Sequence, residues 1–108
     1  MGVMVIAAFR PLPGKEREME EVVRGHVEVL RGLGLATQRP RVAMRAGDGT
    51  MVEVFEWVSE EAIEAAHRHP VVREMWKQFE AACTNVRLAD LKESGKMFPG
   101  FSFLLQIP

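Results

Sequence analysis

The run Val3–Phe9 constrains the chain most. It reads VMVIAAF, apolar at every position, and Pro11-Leu-Pro13-Gly14 then closes it. In an extended strand Val3, Val5, Ala7 and Phe9 share one face, and Met4, Ile6 and Ala8 share the other. A strand with two apolar faces is expected at the centre of a sheet, covered on both sides. Whatever the rest of the chain does, it must supply that cover or borrow it.

The means are limited. With 108 residues the chain is the size of one domain. A two-domain enzyme with a large enclosed cleft is excluded unless a second subunit supplies half of it. The hydrophobic set makes up 47% of the residues, which excludes intrinsic disorder. A formal charge of −1 gives no pull towards nucleic acid or anionic membrane. Cys83 is the one cysteine, so no disulfide can close within the chain, which fits a reducing compartment. It falls on the apolar face of a helix and reads as a small core residue. No apolar run approaches a membrane span and no secretory leader pattern is present, so the expected location is cytoplasmic.

Periodicity places the remaining elements. Lys15–Leu33 is an amphipathic helix, with Met19, Val22, Val23, His26, Val27, Leu30 and Leu33 at helical spacing. Gln38–Arg45 and Met51–Val58 form a hairpin around Gly47-Asp48-Gly49, whose Asp-Gly step supplies the positive φ of a tight turn. Ser59 is placed to cap a helix that reaches about His69, and Pro70 fits the first turn of a second helical piece. Asn85–Leu91 reads as a weaker strand. Met97–Leu105 is apolar again and holds three of the six Phe residues. The order β-α-β-β-α-β predicts an α+β, ferredoxin-like antiparallel sheet with two helices on one face and the first and third strands central. The expected division is a ferredoxin-like domain over 1–92 and an apolar tail over 93–108, docked on the domain or on a partner copy.

Helices cover only one face of such a sheet. Val42, Met44, Val52, Val54, Val86 and Leu88 are the expected helix-facing set. Met51, Phe55 and Trp57 then point away, beside Arg41, Arg45, Glu53 and Arg87. An exposed patch of that kind predicts a homodimer with Phe55 and Trp57 at its interface, since two-fold interfaces are self-complementary. A register slip of one residue would exchange the two faces.

The segment Phe55-Glu-Trp57-Val-Ser-Glu-Glu-Ala-Ile-Glu-Ala-Ala-His67-Arg-His-Pro70, the opening Pro-Gly-Lys15-Glu16 of the first helix and the double-apolar first strand resemble the dimeric α/β-barrel superfamily. Within it the chain is most similar to antibiotic-biosynthesis-monooxygenase-like domains, over roughly residues 3–91. The resemblance implies sheets paired face to face in a dimeric barrel, with ligands between each sheet and its own helices. It also implies activities such as cofactor-free oxygenation of aromatic substrates. Haem degradation fits less well: the first strand has no Asn, and the positions of that branch's Trp and His fall near Ala66 and Trp76.

His26 lies on the apolar stripe of the first helix, as a boundary histidine bonded to a carbonyl or as a general base on a cavity wall. His67 shares a helix side with Ile63 and Val71, and stands with His26 as a candidate catalytic residue. Met75, Trp76 and Phe79 are core residues or the walls of a pocket for a flat aromatic ligand. His67 and His69 do not share a helical face, and no metal-ligand spacing or phosphate loop is present. No cofactor or metal is expected. The leading function is cofactor-independent oxygenation of a small aromatic substrate. The alternative is a non-catalytic ligand-binding or homodimeric scaffold module. RNA binding, which the same element order serves elsewhere, lacks the basic charge and the Gly-aromatic motif it needs.

Overall fold

The computed structural model describes residues 2–105; Met1 and residues 106–108, the last of the apolar tail, lie outside the described residues. The chain folds as β1 (Val3–Pro11), α1 (Glu16–Gly32), β2 (Val42–Arg45), β3 (Met51–Trp57), α2 (Glu60–Arg68), α3 (Pro70–Ala82), β4 (Cys83–Val86) and β5 (Ser102–Phe103). Two short 3-10 turns, Leu88–Asp90 and Lys92–Gly95, lie between β4 and β5. Among the described residues five strands form one antiparallel sheet in the order β4-β1-β3-β2-β5. This is an α+β architecture compatible with a ferredoxin-like fold, with β1 and β3 inside the sheet. Among the described residues no helix is long and apolar enough to cross a membrane.

Local chemistry sets the element ends. Gly49, at φ 91°, closes the β2–β3 hairpin, where Asp48 Oδ1 accepts from the Thr50 N–H at 2.9 Å. Ser59 caps α2 by accepting from Ala62 N–H at 3.1 Å. The chain breaks between α2 and α3 at His69, whose Nδ1 accepts from Val71 N–H at 3.2 Å, and Pro70 opens α3. The fourth strand starts earlier than the sequence suggests, at Cys83, and ends at Val86. Leu88 and Leu91 fall in or beside the 3-10 turns instead.

The sheet is the other way up. Register pairs Val5 with Phe55, Ala7 with Glu53 and Phe9 with Met51, and all of these face the helices. Phe55 and Trp57 are buried in the core with Met19, Val23, Val27 and Leu30 of α1 and Val72, Met75 and Phe79 of α3. They are therefore not on the uncovered face, and within one chain they have no surface to give to a dimer interface. The expected inner set, Val42, Met44, Val52, Val54 and Val86, lies on the outer face. The physical reason is that Arg41 and Glu53, which marked their face as solvated, are buried in mutual contact. Their charges are matched inside the protein.

The outer face is half covered. Ala8, Ala46 and Val52 pack with Leu91, and Met44, Val86 and Phe101 border the same cluster, so the chain beyond β4 serves as a lid over that half. Ser102 and Phe103 then pair with Arg45 and Met44, adding β5 to the β2 edge. The other half stays open. Met4 is 51% exposed and Ile6 53%, and Val42 is exposed beside them. The burial of β1 on both sides, expected from its sequence, is thus incomplete within one chain.

Candidate functional site

Between the helices and the inner sheet face lies a cavity of about 400 Å³. That volume is in the range of small-molecule sites. Val5, Ala7 and Phe9 of β1 and Phe55 and Trp57 of β3 form its sheet side. His26 of α1, Ile63 and His67 of α2, and Trp76 and Phe79 of α3 complete the apolar wall. Glu80 and Asn85 add the remaining polar groups. The structure therefore brings His26, His67, Trp76 and Phe79 to one cavity and adds Phe55 and Trp57 to it. Met75 is buried in the same core but does not line the cavity.

His26 is 4% exposed. Its ring meets Phe79 at 4.8 Å, Phe55 at 5.4 Å and Phe9 at 6.4 Å between centroids, each edge-on. Its bonding partner is a carboxylate, not the carbonyl considered from sequence. Nδ1 lies 2.7 Å from Glu53 Oε1. Glu53 is fully buried, and its other oxygen accepts from Arg41 Nη1 at 3.2 Å. Arg41 is held in turn by the α1 carbonyls of Val23, at 3.1 Å, and Arg24. Burial pushes the Arg41 pKa below its ordinary value, against the opposing pull of Glu53. The result is a buried chain from guanidinium to carboxylate to imidazole, ending at the cavity.

The second ring nitrogen of His26 is the end that matters chemically. Arg41 Nε is the one enclosed side-chain nitrogen or oxygen without a partner among the described residues. His26 Nε2 also has no protein partner among them, so it retains an accessible edge, on a ring that lines the cavity. With Nδ1–H donating to Glu53, the Nε2 of a neutral ring is a bare lone pair.

His67 is differently placed. It is exposed, at the mouth of the cavity, and its ring packs edge-on against Trp76 at 5.1 Å. Nδ1 donates to the Ile63 carbonyl one turn earlier, at 2.8 Å. That bond matches a structural histidine, yet it also leaves Nε2 as the free end of a neutral ring.

Sequence reasoning missed Glu53 and Arg41 as site residues. A usable signal was present: Glu53 alternates with Met51, Phe55 and Trp57 on one strand face. A lone carboxylate on such a face needs a buried partner, and His26 on an apolar helix stripe needs one too. Glu80 and Asn85 carried no comparable signal.

Comparison with protein-family models, curated proteins and solved structures finds no match to this chain.

Proposed function

We propose that this protein binds a small, flat aromatic molecule in the cavity and oxygenates it without a cofactor, with His26 as general base. The observation that carries the reading is the Glu53-anchored His26, whose Nε2 is its unpartnered end at an apolar cavity. A histidine base suits this role because imidazole changes charge near neutral pH.

In this reading Nε2 takes the proton of a hydroxyl conjugated with the ring, or of an activated carbon in its keto form, leaving an anion with carbanion character at a ring carbon that still bears hydrogen. The carbanion reduces dioxygen and is captured as a peroxide on the same carbon. Loss of water from that peroxide leaves a carbonyl. One oxygen atom enters the product, the other leaves as water, and the substrate supplies both hydrogens. The imidazolium returns its proton to the departing hydroxide. Trp76 and Phe79 flank the substrate ring, and His67 meets its outer end at the mouth. The resemblance to monooxygenase-like dimeric barrels supports the same class of chemistry.

The working unit of this reading is a cytoplasmic homodimer paired through the open half of the outer sheet face. Ile6, Val54 and Val42 are adjacent in register across three strands, and a second copy would cover them together with Met4. The interface assigned from sequence to Phe55 and Trp57 thereby moves to the opposite face.

Dioxygen consumption with a panel of anthrones and naphthols tests the chemistry. His26→Ala is expected to lower turnover by about 10²-fold or more, and His67→Ala to lower it less. No turnover by the wild type, or none of it lost in either variant, contradicts the assignment.

A further inference from the structure

Two buried charged residues next to the cavity have no part in the proton transfer just described. Glu53 does not reach the cavity, and Arg41 is one residue further from it. Burying an ion pair is costly, and apolar residues would fill the same space without that cost. Their arrangement is directional, from Arg41 through both Glu53 oxygens to a single nitrogen of His26.

We infer that Glu53, held by Arg41, is a positioning residue that fixes His26 as the Nδ1–H tautomer, so that the cavity selects aromatic ligands bearing an acidic hydroxyl. This rests on the reading of the cavity as the ligand site and adds the chemical class of ligand.

A carboxylate paired with a guanidinium has only acceptor capacity to offer, so the nitrogen facing it carries the proton. The other nitrogen is then an acceptor aimed at an apolar space. The titratable and charged groups facing His26 are Glu53 and Arg41 from the sheet side, with His67 of α2 and Glu80 of α3 on the cavity wall. The deep wall around His26 is made of Phe9, Phe55 and Phe79, which offer no donor. A ligand that enters with a hydroxyl satisfies Nε2. One with an ether in the same place leaves Nε2 desolvated and unpaired, which disfavours it. Where the hydroxyl is acidic enough, its O–H bond breaks and the Nε2–H bond forms, leaving the electron pair on oxygen and an ion pair in the cavity.

Two measurements test this. The first is the ¹⁵N chemical shifts of the His26 ring in the ligand-free protein. Wild type is expected to show a protonated Nδ1 and a bare Nε2, and Glu53→Gln to weaken that preference. The double variant Arg41→Met with Glu53→Leu leaves no charge unpaired and is expected to abolish it. A proton on Nε2 of the neutral wild-type ring, or the same tautomer in the double variant, overturns the role of Glu53.

The second compares 2-naphthol with 2-methoxynaphthalene. Wild type is expected to prefer the naphthol by roughly tenfold. In the double variant that ratio falls to near one while the methoxy compound binds as before. A purely structural role for the pair would instead weaken both ligands alike and so overturn the selection. Failure of both to bind wild type defeats the cavity reading and its ligand class, while the nitrogen shifts still decide the role of Glu53.

Discussion

His26 Nδ1 sits 2.7 Å from Glu53 Oε1, joining the middle of α1 to the middle of β3 through the protein core. The contact has a structural consequence apart from any chemistry. Glu53 is held between two nitrogen-bearing partners, and removing either leaves polar atoms without water to replace them. Arg41→Ala strands the Glu53 carboxylate and is expected to destabilise the fold by about 3–5 kcal/mol. Replacing both charges with apolar residues is expected to cost much less than the sum of the single changes. Urea unfolding of the two single variants and the double variant measures that coupling.

The same pair explains how much of the molecule was legible in its sequence. Element order, the hairpin turn and the Ser59 cap depend on local signals, and each is found where those signals lie. The orientation of the sheet depends on which strand face is judged polar. Arg41, Arg45 and Glu53 made the helix-facing side look solvated, and the valines of β2 and β3 made the outer side look like core. Arg45 reaches Glu20 of α1 at 2.9 Å, so each of these charges is matched by a partner distant in sequence. Pairing of that kind is a tertiary fact that no period of two or of 3.6 encodes. The site was legible in part for the same reason: His26, His67, Trp76 and Phe79 stand on helix stripes, whereas Glu53 and Arg41 resemble surface residues until the sheet is turned over.

The hairpin supplies an acid-dependent contribution. Asp48 has its pKa lowered, first by hydrogen bonds from the Thr50 side chain and backbone and then by Arg10, 2.9 Å away. A depressed carboxylate pKa contributes stability that is present above the ordinary, unfolded value and lost as pH falls through the lowered one. Asp48 is about half exposed, so solvent screening keeps the effect small. Asp48→Asn is expected to cost about 0.5 kcal/mol near neutral pH. Below the lowered pKa the variant and wild type should unfold alike. Thermal melts across the acid range check the sign.

Cys83 closes α3, is buried, and has its thiol pKa raised by that burial. Thiolate is the reactive form, so the native protein is expected to resist a disulfide-exchange reagent such as Ellman's near neutral pH. Unfolding in urea should release one rapidly reacting thiol per chain. Rapid reaction of the folded protein would contradict the packing around Cys83.

The open half of the outer face makes the dimer testable without reference to the cavity. Ile6→Glu places a charge in the middle of that patch without entering the inner core. Sedimentation is expected to show a dimer for wild type and a folded monomer for the variant. A monomeric wild type at micromolar concentration would contradict the proposed pairing.

If the cavity behind His26 takes the ligand, an aromatic hydroxyl compound must perturb the residues that line it. Chemical-shift mapping with 2-naphthol reads this out residue by residue. Saturable shifts are expected at Ala7, His26, Phe55, Phe79 and the Trp76 indole, with Val42 and Val54 on the outer face unmoved. Shifts centred on the outer face, or none that saturate, would contradict a ligand site behind His26.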